Sequence, residues 1–123
     1  MSDRLSFETI QKGNYSGHRS PADYVVKDAR AWQKLWEQTH SNATPEPNLP
    51  VVDFNREMVL GVYLGQRNRG GYDIKISDLV EGEGHLEVMV VETTPGLMAT
   101  NGLTQSYHLI KTARTDREIK FVR

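Results

Sequence analysis

Apolar and polar positions alternate with the period of a β-strand along most of this chain. Residues 58–64 are apolar on both faces, which is typical of a central strand covered on both sides. Gly61 lies in the middle of this segment, and we expect a tryptophan side chain to approach the backbone there. Residues 72–77 predict a strand with one solvated face. Further strands are predicted at residues 5–10, 22–26, 86–91, 107–111 and 119–121, and a loop of small residues at 97–102.

Residues 28–40 show the one strong helical pattern of the chain. Asp28 is a good N-cap, because its carboxylate can accept from free amides of the first turn. Trp32, Leu35 and Trp36 then recur at helical spacing and form one apolar stripe. Two tryptophans one turn apart could also stack on a ligand, but their place on this stripe favours packing in the core. Prolines 45, 47 and 50 exclude a continuation of the helix.

These elements amount to about seven short strands and one amphipathic helix. They predict an α+β fold in which the helix packs on a mainly antiparallel, meandering sheet. At 123 residues the chain is the size of a single domain, which we place at residues 1–123. Hydrophobic residues make up 37% and charged residues 25%, as in ordinary globular proteins.

Net charge and cysteine content narrow the classes of function. The formal net charge is −1, so the composition predicts no nucleic-acid partner of the electrostatic kind. The absence of cysteine excludes disulfides, thiolate metal sites and cysteine nucleophiles. No apolar run approaches the roughly 20 residues that span a bilayer, and no membrane association is expected. The start lacks the apolar core of a secretion signal. The sequence as written therefore predicts a cytoplasmic protein, or a secreted or periplasmic one if a leader has been removed.

The residue types that usually carry catalysis show no catalytic spacing. The four histidines are not paired at metal-ligand spacing, and we expect them to be exposed on loops and strands. Ser16 lies close to a glycine and a histidine, but it lacks the Gly-x-Ser-x-Gly elbow of serine hydrolases, so a turn is expected there. The sequence thus predicts no enzyme activity, no cofactor and no metal.

The segment from Arg67 to Tyr72 is the candidate binding site. Arg67 and Arg69 stand on either side of one asparagine and lead into Gly70 and Gly71. Two guanidinium groups near flexible backbone amides could hold a carboxylate or a phosphate. The simpler alternative is a solvated hairpin loop whose glycines supply positive φ.

Several short motifs together resemble the family of the protease-complex subunit PrcB. In the first half these are Ile10-x-x-Gly13-x-x-Ser16-Gly17 and Trp32-x-x-Leu35-Trp36. The second half, which resembles the C-terminal domain of the family, contributes Val52-Asp53-Phe54, Glu57-Met58-Val59, Leu64-Gly65, Gly70-Gly71-Tyr72 and Thr104-Gln105 before Tyr107. The sequence departs from the pattern at Ser106, where similar sequences carry a proline.

The resemblance implies a non-catalytic role. The namesake of the family is a partner that stabilises and helps to mature a secreted protease, and the family offers no catalytic residues to carry over. We therefore predict a non-enzymatic binding or stabilising module whose partner is a protease or another protein. The alternative is a small-ligand or anion-binding domain that uses Arg67, Arg69, Gly70, Gly71 and Tyr72.

Overall fold

A computed structural model describes residues 4–96 and 101–123. These residues form one helix and eight strands, one strand more than predicted. The elements are β1 (Arg4–Leu5), β2 (Phe7–Gly13), β3 (Ala22–Val26), α1 (Ala29–Thr39), β4 (Glu57–Arg69), β5 (Asp73–Glu81), β6 (His85–Thr93), β7 (Asn101–Ala113) and β8 (Glu118–Val122). The predicted loop at 97–102 falls outside the described residues at 97–100, and Asn101 and Gly102 belong to β7.

The strands divide into two four-stranded sheets, so the prediction of one meandering sheet is wrong. Sheet A has the order β1-β5-β6-β8, and sheet B has the order β2-β7-β4-β3. All pairs are antiparallel except β6 with β8, which run parallel. The α+β class and the mainly antiparallel pairing are confirmed.

The core forms two layers on either side of sheet B. Met58, Leu60 and Val62 of β4 face sheet A, where they join Ile74, Ile76, Leu79, Leu86, Val88 and Val90. Val59 and Tyr63, which alternate with them, face α1 and contact Trp32, Leu35 and Trp36. Strand β4 is therefore apolar on both faces because it is covered on both faces, as its pattern predicted.

Gly61 admits a leucine rather than the expected tryptophan. A Cβ atom at this position would lie 2.8 Å from Cδ2 of Leu109 on the neighbouring strand β7 and 3.9 Å from Cδ2 of Leu35 in α1. The close approach predicted at Gly61 is correct, but the side chain that makes it was misassigned.

Helix α1 has the ends that its sequence predicts. Asp28 is the N-cap, and its Oδ1 accepts from the amide of Ala31 at 2.8 Å. Both tryptophan side chains are buried, and their indole N–H groups donate to carbonyls of the proline-rich connector, Trp32 to Pro50 and Trp36 to Pro47, each at 2.9 Å. The connector is thereby held against the helix. Among the described residues no helix is long and apolar enough to cross a membrane.

Candidate functional site

Strands β4 and β7 extend beyond their neighbours and form a two-stranded ribbon. Strand β3 pairs with β4 only as far as Tyr63, and β2 pairs with β7 only from Tyr107 onward. Residues 65–69 of β4 and 101–106 of β7 therefore pair only with each other along this stretch, and we call this part the ribbon. Arg67 and Arg69 lie in the strand, not in the predicted loop, and only Gly70, Gly71 and Tyr72 form the connection to β5.

The pairing of the ribbon is irregular between its two arginines. An irregularity of this kind interrupts the regular alternation of side chains along a strand. Arg67 is paired with Thr104 and Arg69 with Asn101, and the Thr104 hydroxyl donates to the Arg69 carbonyl at 3.1 Å. The guanidinium carbon of Arg67 lies 5.5 Å from the centroid of the Tyr72 ring, within the range of a cation–π contact. Pairing with β7 thus positions the backbone of both arginines, where a flexible loop was expected.

The turn that follows the ribbon is tightly packed. Gly71 has a φ of 91°, in the left-handed region that favours glycine, as the sequence predicted for this segment. A Cβ atom at Gly71 would lie 2.6 Å from Cβ of Pro95, just after the end of β6. The turn is therefore held against sheet A, and Tyr72 packs partly buried against the core between the sheets.

A second segment spans the ribbon from one edge to the other. The amide of Gln105 donates to the carbonyl of Asn14 at 2.7 Å, and the amide of Gln66 donates to the carbonyl of Arg19 at 2.8 Å. Residues 14–19, which we call the strap, therefore join both edges of the ribbon. Within the strap, the amide of Gly17 donates to the carbonyl of Thr39 at 3.0 Å and ties the strap to the end of α1.

The turn predicted at Ser16 lies within the strap. Ser16 is buried, and its Oγ accepts from the amide of His18 at 3.2 Å, which is a local serine turn. The His18 ring stacks on Tyr63 with centroids 4.1 Å apart, and its Nε2 is 2.9 Å from the hydroxyl of Tyr24. Burial lowers the pKa of His18, which favours a neutral ring in this stack.

The fold brings together a serine, a histidine and an aspartate that the sequence analysis did not connect. Ser106 and His108 are buried on β7, and Asp73 begins β5. The Ser106 hydroxyl donates to Asp73 at 3.3 Å and accepts from the amide of Ile74 at 3.2 Å. His108 accepts at Nδ1 from the amide of Ile76 at 2.9 Å.

The geometry of this cluster is structural rather than catalytic. A catalytic triad needs a histidine nitrogen on the serine hydroxyl. Here both nitrogens of His108 are engaged elsewhere, since Nε2 lies 2.9 Å from the Thr9 hydroxyl. Ser106 and His108 instead accept hydrogen bonds from the amides of Ile74 and Ile76 on β5. These bonds tie sheet B to sheet A. Ser106, where the resemblance led us to note a departure, is thus part of the junction between the sheets.

The expectation that the histidines are exposed is wrong. His40 and His108 are buried, and His18 and His85 are half-buried. His40 is the C-cap of α1, with Nδ1 3.0 Å from the carbonyl of Trp36 and Nε2 2.6 Å from Oε1 of Gln11. For His108, burial first and the nearby Lys12 ammonium second lower the pKa to about 4, although Asp73 acts in the opposite direction.

The low pKa of His108 predicts an acid-sensitive stability. In the unfolded chain this group has a pKa of about 6.5, so the unfolded state binds the proton more readily. The stabilisation is fully present above pH 6.5 and is lost as the pH falls toward 4. We expect the loss to be on the order of 1–3 kcal/mol in the free energy of unfolding, measured by urea denaturation at a series of pH values.

The matched variant for this prediction is His108→Gln, because a glutamine oxygen can accept from the Ile76 amide and does not titrate. Its free energy of unfolding should fall less steeply over the same pH range than that of the parent. Equal slopes for the two proteins would mean that other groups cause the acid sensitivity.

Together, the fold and the ribbon define a two-sheet α+β domain with two arginines on its ribbon. In residues 4–96 and 101–123 there is no group of three or more histidine, aspartate or glutamate side chains that could hold a metal ion. Residues 58–113, which run from β4 to the end of β7, match the model of the PrcB C-terminal family. The resemblance predicted from the sequence is confirmed over these residues, just under half of the chain. No curated protein and no solved structure is significantly similar to the chain.

Proposed function

We propose that this protein is a non-enzymatic module that binds and stabilises a partner protein, and that the partner is a protease or a component of a protease complex. The PrcB C-terminal match over residues 58–113 supports the association with a protease complex. The matched segment contains Arg67, Arg69, Gly70, Gly71 and Tyr72, so the candidate site lies within the part of the chain that the family shares.

The observation that carries the proposal is the unpaired state of the two ribbon arginines. Among the described residues, neither Arg67 nor Arg69 has a carboxylate within salt-bridge distance. By contrast, Arg117 pairs with Glu81, and Arg123 pairs with Asp23. Guanidinium groups without an internal carboxylate partner are suited to a carboxylate from another molecule.

The arrangement of the chain also supports a role without catalysis. The serine, histidine and aspartate that meet between the sheets bond backbone amides rather than one another in a triad. Tyr63, the most buried tyrosine, has a strongly raised pKa because burial disfavours its charged form, so it is a poor acid or base near neutral pH. The candidate site itself offers arginines and a tyrosine, which bind anions but provide no nucleophile.

Affinity capture tests this proposal. The immobilised protein should retain a specific partner from extracts of its host, and Arg67→Ala with Arg69→Ala should lose most of that partner. The free energy of unfolding should change by less than about 1 kcal/mol, because Arg69 is exposed, Arg67 is half-buried with one cation–π contact, and such charges contribute little to folding.

The control is Arg30→Ala with Lys34→Ala on α1. Both side chains are exposed and have no carboxylate partner among the described residues. The control variant removes two positive charges, as the ribbon variant does. Capture should survive in this variant. A partner that is retained equally by the ribbon variant would show that Arg67 and Arg69 do not form the binding site. Retention of small anions alone would favour the anion-binding alternative.

A further inference from the structure

We propose that Asn101 is a site of spontaneous deamidation, and that its conversion places a carboxylate opposite Arg69 on the ribbon. In this reaction the backbone nitrogen of the next residue attacks the side-chain carbonyl carbon of the asparagine. The nitrogen gives up its proton, the side-chain amide leaves as ammonia, and a cyclic imide forms. Water then opens the imide to aspartate or isoaspartate. Both reacting groups belong to the chain, so the attack is intramolecular.

The residue that follows an asparagine governs how readily this attack occurs. A side chain on that residue hinders the approach of its backbone nitrogen, whereas glycine has no side chain and more backbone freedom. The chain contains six asparagines, and Asn101 alone is followed by a glycine, Gly102. The others precede tyrosine, alanine, leucine or arginine. Asn101 is therefore the asparagine with the least hindered attacking nitrogen.

The backbone of the ribbon is irregular at this site. Between the pairs that Arg67 and Arg69 make with β7, strand β7 contains one residue more than β4, which is a bulge. Gly102 lies in this bulge with a φ of 140°, in the region that favours glycine. A bulge disrupts the ladder of backbone hydrogen bonds that otherwise fixes the amides of a strand. The attacking nitrogen thus lies where strand geometry is interrupted.

Both reacting residues are open to solvent. Asn101 and Gly102 are exposed. A Cβ atom at Gly102 would meet no atom of the described residues within 4 Å. Ring closure has to bring the side-chain carbonyl onto the following amide, and water has to reach the imide that results. Both steps need the space that the ribbon leaves here.

The position of Asn101 determines what the new charge would meet. Asn101 pairs directly with Arg69, and side chains at directly paired positions of antiparallel strands share a face and interact. Arg69 has no carboxylate partner among the described residues. A carboxylate formed at position 101 is therefore placed to pair with this arginine and to neutralise its charge.

The consequence for binding rests on the proposed function. A partner that contacts Arg69 through a carboxylate would have to compete with the carboxylate at position 101 and would be repelled by it. Deamidation would then weaken binding as the protein ages. The change is irreversible, because the ammonia is lost.

Peptide mass spectrometry of the incubated native protein tests the modification. In heavy-oxygen water at neutral pH, the segment that contains Asn101 should exchange its side-chain amide for a carboxyl group with heavy oxygen. Asn101 should convert roughly tenfold or more faster than any other asparagine. The rate should rise with pH, because the attacking nitrogen must lose its proton.

Asn101→Gln is the matched variant, because its longer side chain would have to close a larger ring, and its segment should remain unchanged. A parallel incubation in urea measures the unfolded chain. Conversion of Asn101 in urea but not in the native protein would overturn the proposal, since the fold would then protect the amide. Equal conversion of another asparagine in the native protein would overturn the role assigned to Gly102.

Partner capture tests the consequence separately from the modification. Asn101→Asp should retain several-fold less of the captured partner than the parent, whereas Asn101→Gln should retain as much as the parent. Equal capture by Asn101→Asp would overturn the effect on binding. Failure of the parent to capture any partner would overturn the proposed function and the effect on binding together, while the modification is decided by mass spectrometry alone.

Discussion

Replacing Trp36 by alanine is expected to lower the free energy of unfolding by about 3–5 kcal/mol, as for other large core aromatics. Trp36 is only 3% exposed and lies between α1 and sheet B, where it packs with Val59 and Tyr63. Its ring centroid is 4.0 Å from that of His40 and 5.5 Å from that of Trp32. Truncation would leave a cavity that these rings cannot readily fill. Urea denaturation followed by circular dichroism measures the change.

Trp36→Phe separates packing from hydrogen bonding. Phenylalanine retains most of the apolar contact but cannot donate to the Pro47 carbonyl, which the indole N–H reaches at 2.9 Å. We expect this variant to lose about 1–2 kcal/mol, well below the alanine variant. A loss of less than about 1 kcal/mol on truncation to alanine would mean that Trp36 is a surface feature and would reopen the possibility of a ligand-stacking pair.

Replacing Gly17 by alanine is expected to cost on the order of 2–3 kcal/mol or more. A Cβ atom at this position would lie 1.9 Å from Oγ of Ser41 and 2.4 Å from the carbonyl oxygen of Gln38. The serine side chain can rotate away, but the carbonyl belongs to the last turn of α1. The strap would have to move, and the hydrogen bond from the Gly17 amide to the Thr39 carbonyl would weaken.

Two further variants make the Gly17 prediction specific. Gly96→Ala should change the free energy of unfolding by less than about 0.5 kcal/mol, since a Cβ there meets no atom of the described residues within 4 Å. Ser41→Gly in the Gly17→Ala background removes one of the two clashes, so it should restore only part of the stability. Full recovery would show that the backbone contact with Gln38 does not limit the strap.

Local signals in the sequence were sufficient for the helix and for the middle of β4. The ends of α1 follow from Asp28 and the prolines, and its buried face follows from the spacing of the tryptophans. Residues 58–64 read as a central strand because both faces are buried, so no polar position interrupts the run. In these elements the apolar positions of the sequence are the positions that the fold buries, so the pattern alone was enough to predict them.

The ends of β4 and β7 could not be read from the same pattern. Gln66, Arg67, Asn68 and Arg69 form a strand without a buried apolar face, so the alternation of apolar with polar residues that marks other strands is missing. Their strand geometry comes from pairing with residues far along the chain. The sequence therefore placed Arg67 and Arg69 in a loop, whereas both lie in a strand.

The junction between the sheets was missed for a related reason. Ser106 and His108 occupy alternate positions with Ile110, so period-2 counting would have placed all three on the inner face of β7. Polar residues at inward positions are a usable signal for buried hydrogen bonding. Their partners, the amides of Ile74 and Ile76, lie more than thirty positions away, and no local pattern could identify them.

The pairing of β2 with β7 has a consequence for how the chain reaches its native state. Phe7 pairs with Thr112, so strand β2 joins sheet B beside a strand that follows it by about a hundred residues. Closing so long a loop is entropically costly and is a feature of slowly folding topologies. Strand β2 therefore has no place in its sheet until nearly the whole chain is available. In sheet B, β7 lies between β2 and β4. A ribosome-bound fragment that ends before β7 could therefore pair β3 with β4, but β2 would have no strand to pair with.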